Sequence, residues 1–229
     1  MSLPVVAAPA VAKLPQKIYV LVSKDKETAR YNDQMAYFKS VPALEPLVEY
    51  IEPCWVGRDE DGVDFSRYSA TLKKREIMPT ESHVKCLRAA LDAGHEHFMV
   101  CESDSLLPSN LPELLGNIYS DWESLGTLGA DKKSMIYLGN GNGMMPRQTN
   151  KRSALLYEEN GTRCVDCMLM TRDAAQALYD ATTTENIRGP VDHYWNNVIR
   201  SRGITAYWLH PHEVQQGSSV GKYRSHFLS

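Results

Sequence analysis

The chain has 229 residues, 43% of them hydrophobic and 23% charged, an ordinary globular composition with enough length to bury a full core. Its formal charge of −3 lacks the basic excess of a protein that lives on nucleic-acid phosphates. No apolar run approaches the roughly 18–20 residues needed to span a bilayer, so a cytoplasmic protein is expected, either free or peripheral to a membrane surface.

Residues 1–16 are rich in Ala, Val and Pro and read as a flexible tail, and residues 17–229 as a single domain. Lys17 to Val22 is short, apolar and β-branched, as a buried strand is. An amphipathic stretch from Ala29 to Phe38 suits a helix. Leu47 to Cys54 alternates like a second strand, and Gly57 to Arg75 is charged and reads as a loop. Pro79 and Thr80 then open a helix, with Thr80 at the N-cap, Val84, Leu87 and Leu91 on one face, and Gly94 at the stop. Phe98 to Cys101 is the next strand and runs into Glu102-Ser103-Asp104.

Asn110, with Glu113 three residues on, has the form of a capping box for a further helix. Met135 to Leu138 reads as a strand leading into the Gly139-Asn140-Gly141-Asn142-Gly143 turn. Arg163 to Thr171 reads as a buried strand with one inserted carboxylate, Asp166, and Thr171 caps the helix that follows. Pro190 fits the first position of a helix in which Val191, Tyr194, Trp195, Val198 and Ile199 match the i, i+3, i+4, i+7, i+8 template. Gly203 ends it, and Ile204 to Leu209 alternates as a last strand. Strands alternating with helices predict a three-layer α/β fold around a mostly parallel sheet.

Five cysteines in scattered positions make no disulfide framework, and the single Cys164-x-x-Cys167 pair lacks the partners of a zinc site. Core thiols in a reducing compartment are expected.

Four segments bear chemistry. Glu102 and Asp104 sit just past a strand, at the sheet edge where α/β proteins bind ligands, and one or two carboxylates plus substrate phosphates hold Mg²⁺ or Mn²⁺. Alone, the same triplet is also a solvated turn. Ser82 and His83 lie early on a helix, a ready anion site and equally an ordinary capped start. Asp192 lies in a helix first turn, favoured there by the macrodipole alone, and also suits a general base. Tyr194 or Trp195 beside it could stack on an acceptor sugar ring, and at helical spacing one of them reads as core. His210 or His212, after the last strand, could complete a metal site, and each also reads as a plain surface histidine.

The order of these pieces resembles glycosyltransferase family 25, which includes bacterial lipooligosaccharide and collagen galactosyltransferases. The resemblance spans roughly residues 17 to 220. It rests on Tyr19 to Val22 with Arg30, Ser82-His83, Val100 to Asp104, Tyr137-Leu138-Gly139, Met168 to Leu178, Pro190-Val191-Asp192, and Pro211 with Gln215, Gln216 and Ser218 or Ser219. Glu102-Ser103-Asp104 stands where the family has Glu-Asp-Asp, and the family's Gly-Glu upstream of Ser-His is not cleanly present. The resemblance implies a GT-A fold, a nucleotide-sugar donor such as a UDP-sugar, a divalent metal, usually Mn²⁺, and inverting transfer to an acceptor hydroxyl on a glycan, a protein side chain or a modified nucleic-acid base. It places Arg30, Ser82, His83, Glu102, Ser103 and Asp104 at the donor, Asp104 with Glu102 on the metal, and Asp192 as base. A nucleotidyltransferase on a similar fold and a non-catalytic nucleotide-sugar-binding module are the alternatives. The first is disfavoured because Val22-Ser23-Lys24-Asp25-Lys26 has no glycine.

Overall fold

A computed structural model describes residues 13–139, 143–162 and 164–224. The chain runs β1 (Ile18–Leu21), α1 (Thr28–Ser40), β2 (Val48–Ile51), α2 (Lys74–Asp92), β3 (His97–Glu102), β4 (Ser105–Leu106), α3 (Leu111–Ser124), β5 (Ser134–Tyr137), β6 (Leu156–Glu158), β7 (Cys167–Thr171), α4 (Arg172–Thr184), α5 (Val191–Arg202), β8 (Thr205–Leu209) and β9 (Gln215–Gln216).

Seven strands form one sheet in the order β2-β1-β3-β7-β5-β8-β6, while β4 and β9 form a separate two-stranded ribbon. Strands β2, β1, β3, β5 and β8 point one way. β7 and β6 are reversed. The expected mostly parallel sheet is therefore present. The reversal of β7 matters, because its first residues lie at the edge where its neighbours end.

Both sheet faces are covered. In and just after β1, Ile18, Val20 and Val22 face a core with Phe38, Leu115 and Trp122 of α1 and α3. Tyr19 and Leu21 face the opposite core, with Leu87, Leu178 and Trp195 of α2, α4 and α5. The period-2 alternation of a doubly covered strand thus builds three layers. Each fully buried large side chain contributes about 1.5–3 kcal/mol.

Several boundaries differ from the sequence reading. α2 starts at Lys74, not at Thr80. Its start signal is Glu76, whose carboxylate accepts the Lys73 N–H at 2.8 Å. Pro79 lies inside the helix near its beginning, where only one carbonyl loses its partner. Thr80 is buried, and its hydroxyl has no partner among the described residues. Neither Asn110 nor Thr171 caps through its side chain. The Thr171 hydroxyl instead binds the Ser134 backbone on β5.

The charged loop after β2 carries two short 3-10 turns, Glu60–Gly62 and Phe65–Arg67. Gln16, read as the end of the tail, is tied to β3, its N–H bonding the His97 carbonyl at 3.1 Å. Residues 1–12 of that tail, residues 140–142 of the glycine turn and Arg163 lie outside the described residues. Gly203 ends α5 in the left-handed conformation, φ 64°, as its position suggests. Among the described residues, no helix is long and apolar enough to cross a membrane.

Candidate active site

Two adjoining cavities, of about 160 and 200 Å³, open beside the carboxyl end of β3 and share Pro79, Glu102 and Gln216 as lining. Glu102 stands between them. Of the residues the sequence singles out, Arg30, Ser82, His83, Glu102, Ser103 and Asp104 line the first, and Asp192 lines the second.

The first cavity is lined from β1, α1, α2, β3 and β9 and from the loops after β2 and β3. His83, buried on α2, places Nε2 3.0 Å from Glu102 Oε1 and packs edge-on against Trp195, with ring centroids 5.4 Å apart. Ser82 has a tethering role: its hydroxyl donates to the Met78 carbonyl and accepts the Cys54 N–H, each at 2.8 Å. It fixes the loop after β2 to α2.

Arg30 donates to Glu27 Oε1 at 3.0 Å, to the Ser103 hydroxyl at 2.9 Å and to the Arg224 carbonyl at 2.6 Å. Asp104 is buried, and its Oδ2 accepts the Ser218 hydroxyl at 2.6 Å. Burial first, and then the charge of Glu102, push the Asp104 carboxyl above the ordinary carboxylate range, with Ser218 and Arg30 opposing.

In the second cavity, Asp192 sits in the first turn of α5 with its side chain 16% exposed. Its Oδ1 accepts the His193 N–H at 2.8 Å. Burial raises its pKa, His193 opposes this, and Glu102 adds to it.

In the sequence Asp166 is only a carboxylate inserted in a strand. Because β7 is antiparallel, Asp166 sits beside Glu102, whose N–H bonds the Asp166 carbonyl at 2.7 Å. Asp166 is 1% exposed, and among the described residues its carboxylate meets no side-chain partner, only the nearby Asp166 and Cys167 backbone N–H groups, which oppose the rise in its pKa. Burial and, next, Glu102 push it up to about 8. Gly139 makes room for it, since a Cβ there would lie 2.3 Å from Asp166 Oδ2.

The remaining candidates lie elsewhere. Tyr194 and Trp195 belong to the core and do not line either cavity, which corrects their expected stacking on an acceptor sugar. The Tyr194 hydroxyl donates to the Ala181 carbonyl at 2.9 Å, and Trp195 Nε1 donates to the Thr182 hydroxyl at 3.1 Å. The apolar stripe of α5 faces α4, leaving the start of α5 to the cavity. His210 and His212 do not join Glu102 and Asp104. They pack against each other, with centroids 5.5 Å apart, beside Tyr157 and Trp208, and His212 Nε2 meets the Met144 carbonyl at 3.0 Å. Their segment bends away after β8, where the His210 N–H pairs with the Leu155 carbonyl.

Among the described residues, no three His, Cys, Asp or Glu side chains converge as a complete metal shell. Glu102 and Asp104 nonetheless fit a hard cation that takes one or two carboxylates and completes its sphere with water and phosphate oxygens. The mutual repulsion of the carboxylates here is what such a cation offsets.

Sequence reasoning also missed Trp55, which lines the first cavity, and Tyr223, whose ring lies 5.2 Å from the Arg30 guanidinium. The aromatic in the Pro53-Cys54-Trp55 loop was the available signal for Trp55.

No protein-family model matches the chain, and no curated protein matches it. Among solved structures, a mannose-1-phosphate geranyltransferase from Thermus thermophilus is similar at 9% identity and a TM-score of 0.44, over 86% of this chain and 74% of that one. A UDP-glucose pyrophosphorylase complexed with UDP-glucose is similar at 11% identity and a TM-score of 0.42, over 86% of this chain and 91% of that one.

Proposed function

We propose that this chain is a glycosyltransferase that moves a sugar from a nucleotide-sugar donor, a UDP-sugar in the first instance, to an acceptor hydroxyl with inversion. The observation that carries this reading is the position of Glu102 between two adjoining cavities, one holding Asp104 and Arg30 and the other Asp192. A donor diphosphate suits the first cavity and an acceptor the second, so that the reacting atoms meet at their junction.

Asp192 is the proposed general base. As the acceptor oxygen attacks the anomeric carbon, its proton passes to Asp192 Oδ2, since Oδ1 is held by the His193 N–H. The bond from the anomeric carbon to the diphosphate oxygen breaks, and the nucleoside diphosphate leaves with the electron pair. The raised pKa of Asp192 makes it a stronger base than a solvated carboxylate. His83 orients Glu102, and Glu27 with Ser103 orients Arg30. Glu102 and Asp104 are the residues that would hold a divalent cation of the Mn²⁺ or Mg²⁺ class, which supplies charge neutralisation for a diphosphate leaving group.

A panel of UDP-sugars, nucleoside triphosphates with sugar phosphates, and Mn²⁺ tests the reading. Release of UDP that depends on acceptor and metal is the expected outcome. Release of pyrophosphate would instead make the chain a nucleotidyltransferase, and binding without turnover a binding module.

A further inference from the structure

The loop that leads from β6 to β7 supplies Cys164 and Val165 to the wall of the second cavity. Among the described residues between Glu159 and Asp166, none makes a backbone–backbone hydrogen bond. A wall of that kind holds one position only where side chains satisfy its backbone groups.

Asn196 does this from α5. Its Oδ1 accepts the Thr162 N–H at 2.9 Å, and its Nδ2 donates to the Thr162 carbonyl at 2.8 Å. One carboxamide thus binds both backbone groups of a buried residue, as a strand neighbour would. The Thr162 hydroxyl repeats the arrangement on Cys164: it donates to the Cys164 carbonyl at 2.9 Å and accepts the Cys164 N–H at 3.2 Å. The Cys164 thiol then meets Gln216 Oε1 at 3.7 Å, and Gln216 lines both cavities. Asn196 itself lines neither. It lies four residues after Asp192 on α5, one turn along the same face. The helix that presents the proposed base therefore also holds a second wall of the cavity that the base lines.

We infer that Asn196 is a positioning residue for the acceptor: its carboxamide fixes the Cys164-Val165 wall relative to Asp192 and so governs acceptor binding, while donor binding does not depend on it. This rests on the proposed reading of the second cavity as the acceptor's.

The test compares the parent, Asn196→Ala and, as a control for general destabilisation, Val198→Ala, which thins the core on the same helix. Three readings are taken on the full chain. The first is alkylation of Cys164 by iodoacetamide, located by peptide mass spectrometry. The second is UDP affinity with Mn²⁺ by calorimetry. The third is transfer from UDP-glucose or UDP-galactose to methyl β-glucoside, with hydrolysis to water alongside. Cys164 is half-buried, and burial raises its thiol pKa, so a loosened wall speeds its alkylation.

In Asn196→Ala, alkylation accelerates and KM for the glycoside rises, each about fivefold to hundredfold, the range that two lost hydrogen bonds span. UDP affinity and hydrolysis stay within about twofold of the parent, and Val198→Ala stays within about twofold on every reading. Unchanged alkylation in Asn196→Ala overturns the inference whatever the kinetics show. Accelerated alkylation with an unchanged KM also overturns it and leaves the glycosyltransferase reading standing. An equal loss of UDP affinity, or the same changes in Val198→Ala, overturns it in favour of a general structural role. A parent that neither transfers nor hydrolyses the sugar overturns both the inference and the glycosyltransferase reading.

Discussion

His83 Nε2 lies 3.0 Å from Glu102 Oε1, so a buried ring on α2 holds the carboxylate that separates the two cavities. The pair joins a helix to the end of β3, and Trp195 braces the ring from α5. Replacing His83 by Ala frees Glu102 and leaves a void against Trp195. The expected outcome is a loss of about 1–3 kcal/mol in stability and a fall of roughly tenfold or more in kcat, read by denaturant unfolding and by steady-state kinetics.

Asp192→Asn keeps the geometry of the α5 first turn and removes the base. Donor affinity by calorimetry stays within about twofold, and kcat falls about 10²- to 10⁴-fold. The acid limb of the parent's kcat profile follows the raised pKa of Asp192. Activity is present while the carboxylate is ionised and is lost as pH falls through that pKa, above the ordinary carboxylate range. An acid limb at the solvated carboxylate position, or turnover intact in the Asn variant, removes Asp192 from this role.

Asp166 makes a prediction about stability in metal-free, EDTA-containing buffer. Its folded pKa of about 8 lies above the unfolded carboxylate value of roughly 4, so the native state binds the extra proton between them. Stability is therefore lost as pH rises through that window. Asp166→Asn matches the parent near pH 4, and the gap in its favour widens as pH rises, exceeding about 1–3 kcal/mol above pH 8. A pH-independent difference in thermal unfolding would contradict this.

Much of the sheet was legible because β1, β3, β7 and β8 are short, apolar and buried on both faces, and α5 matched its helical template in full. β6 and the β4-β9 ribbon are only two or three residues long, too short for periodicity to register. α2 was begun too late because Pro79-Thr80 has the form of a helix start, while the working signal, Glu76, lay at the edge of an apparent charged loop. At the site, Glu102, Asp104 and Asp192 were legible because strand ends and helix starts in this architecture share an edge. Tyr194, Trp195, His210 and His212 were misplaced because their orientation depends on how α5 meets α4 and how the chain turns after β8. Asp166 was visible as an inserted carboxylate, but its place beside Glu102 follows from the reversal of β7, which periodicity does not reveal.

The most direct measurement is acceptor-dependent UDP release from a UDP-sugar, in Mn²⁺ and in EDTA, for the parent and for Asp104→Ala. Asp104 follows β3 and lines the first cavity, where its carboxylate accepts the Ser218 hydroxyl. The expected result is release by the parent in Mn²⁺, none in EDTA, and a loss of about a hundredfold or more in Asp104→Ala with the fold retained. Full release by Asp104→Ala in Mn²⁺, or release by the parent undiminished in EDTA, would contradict it.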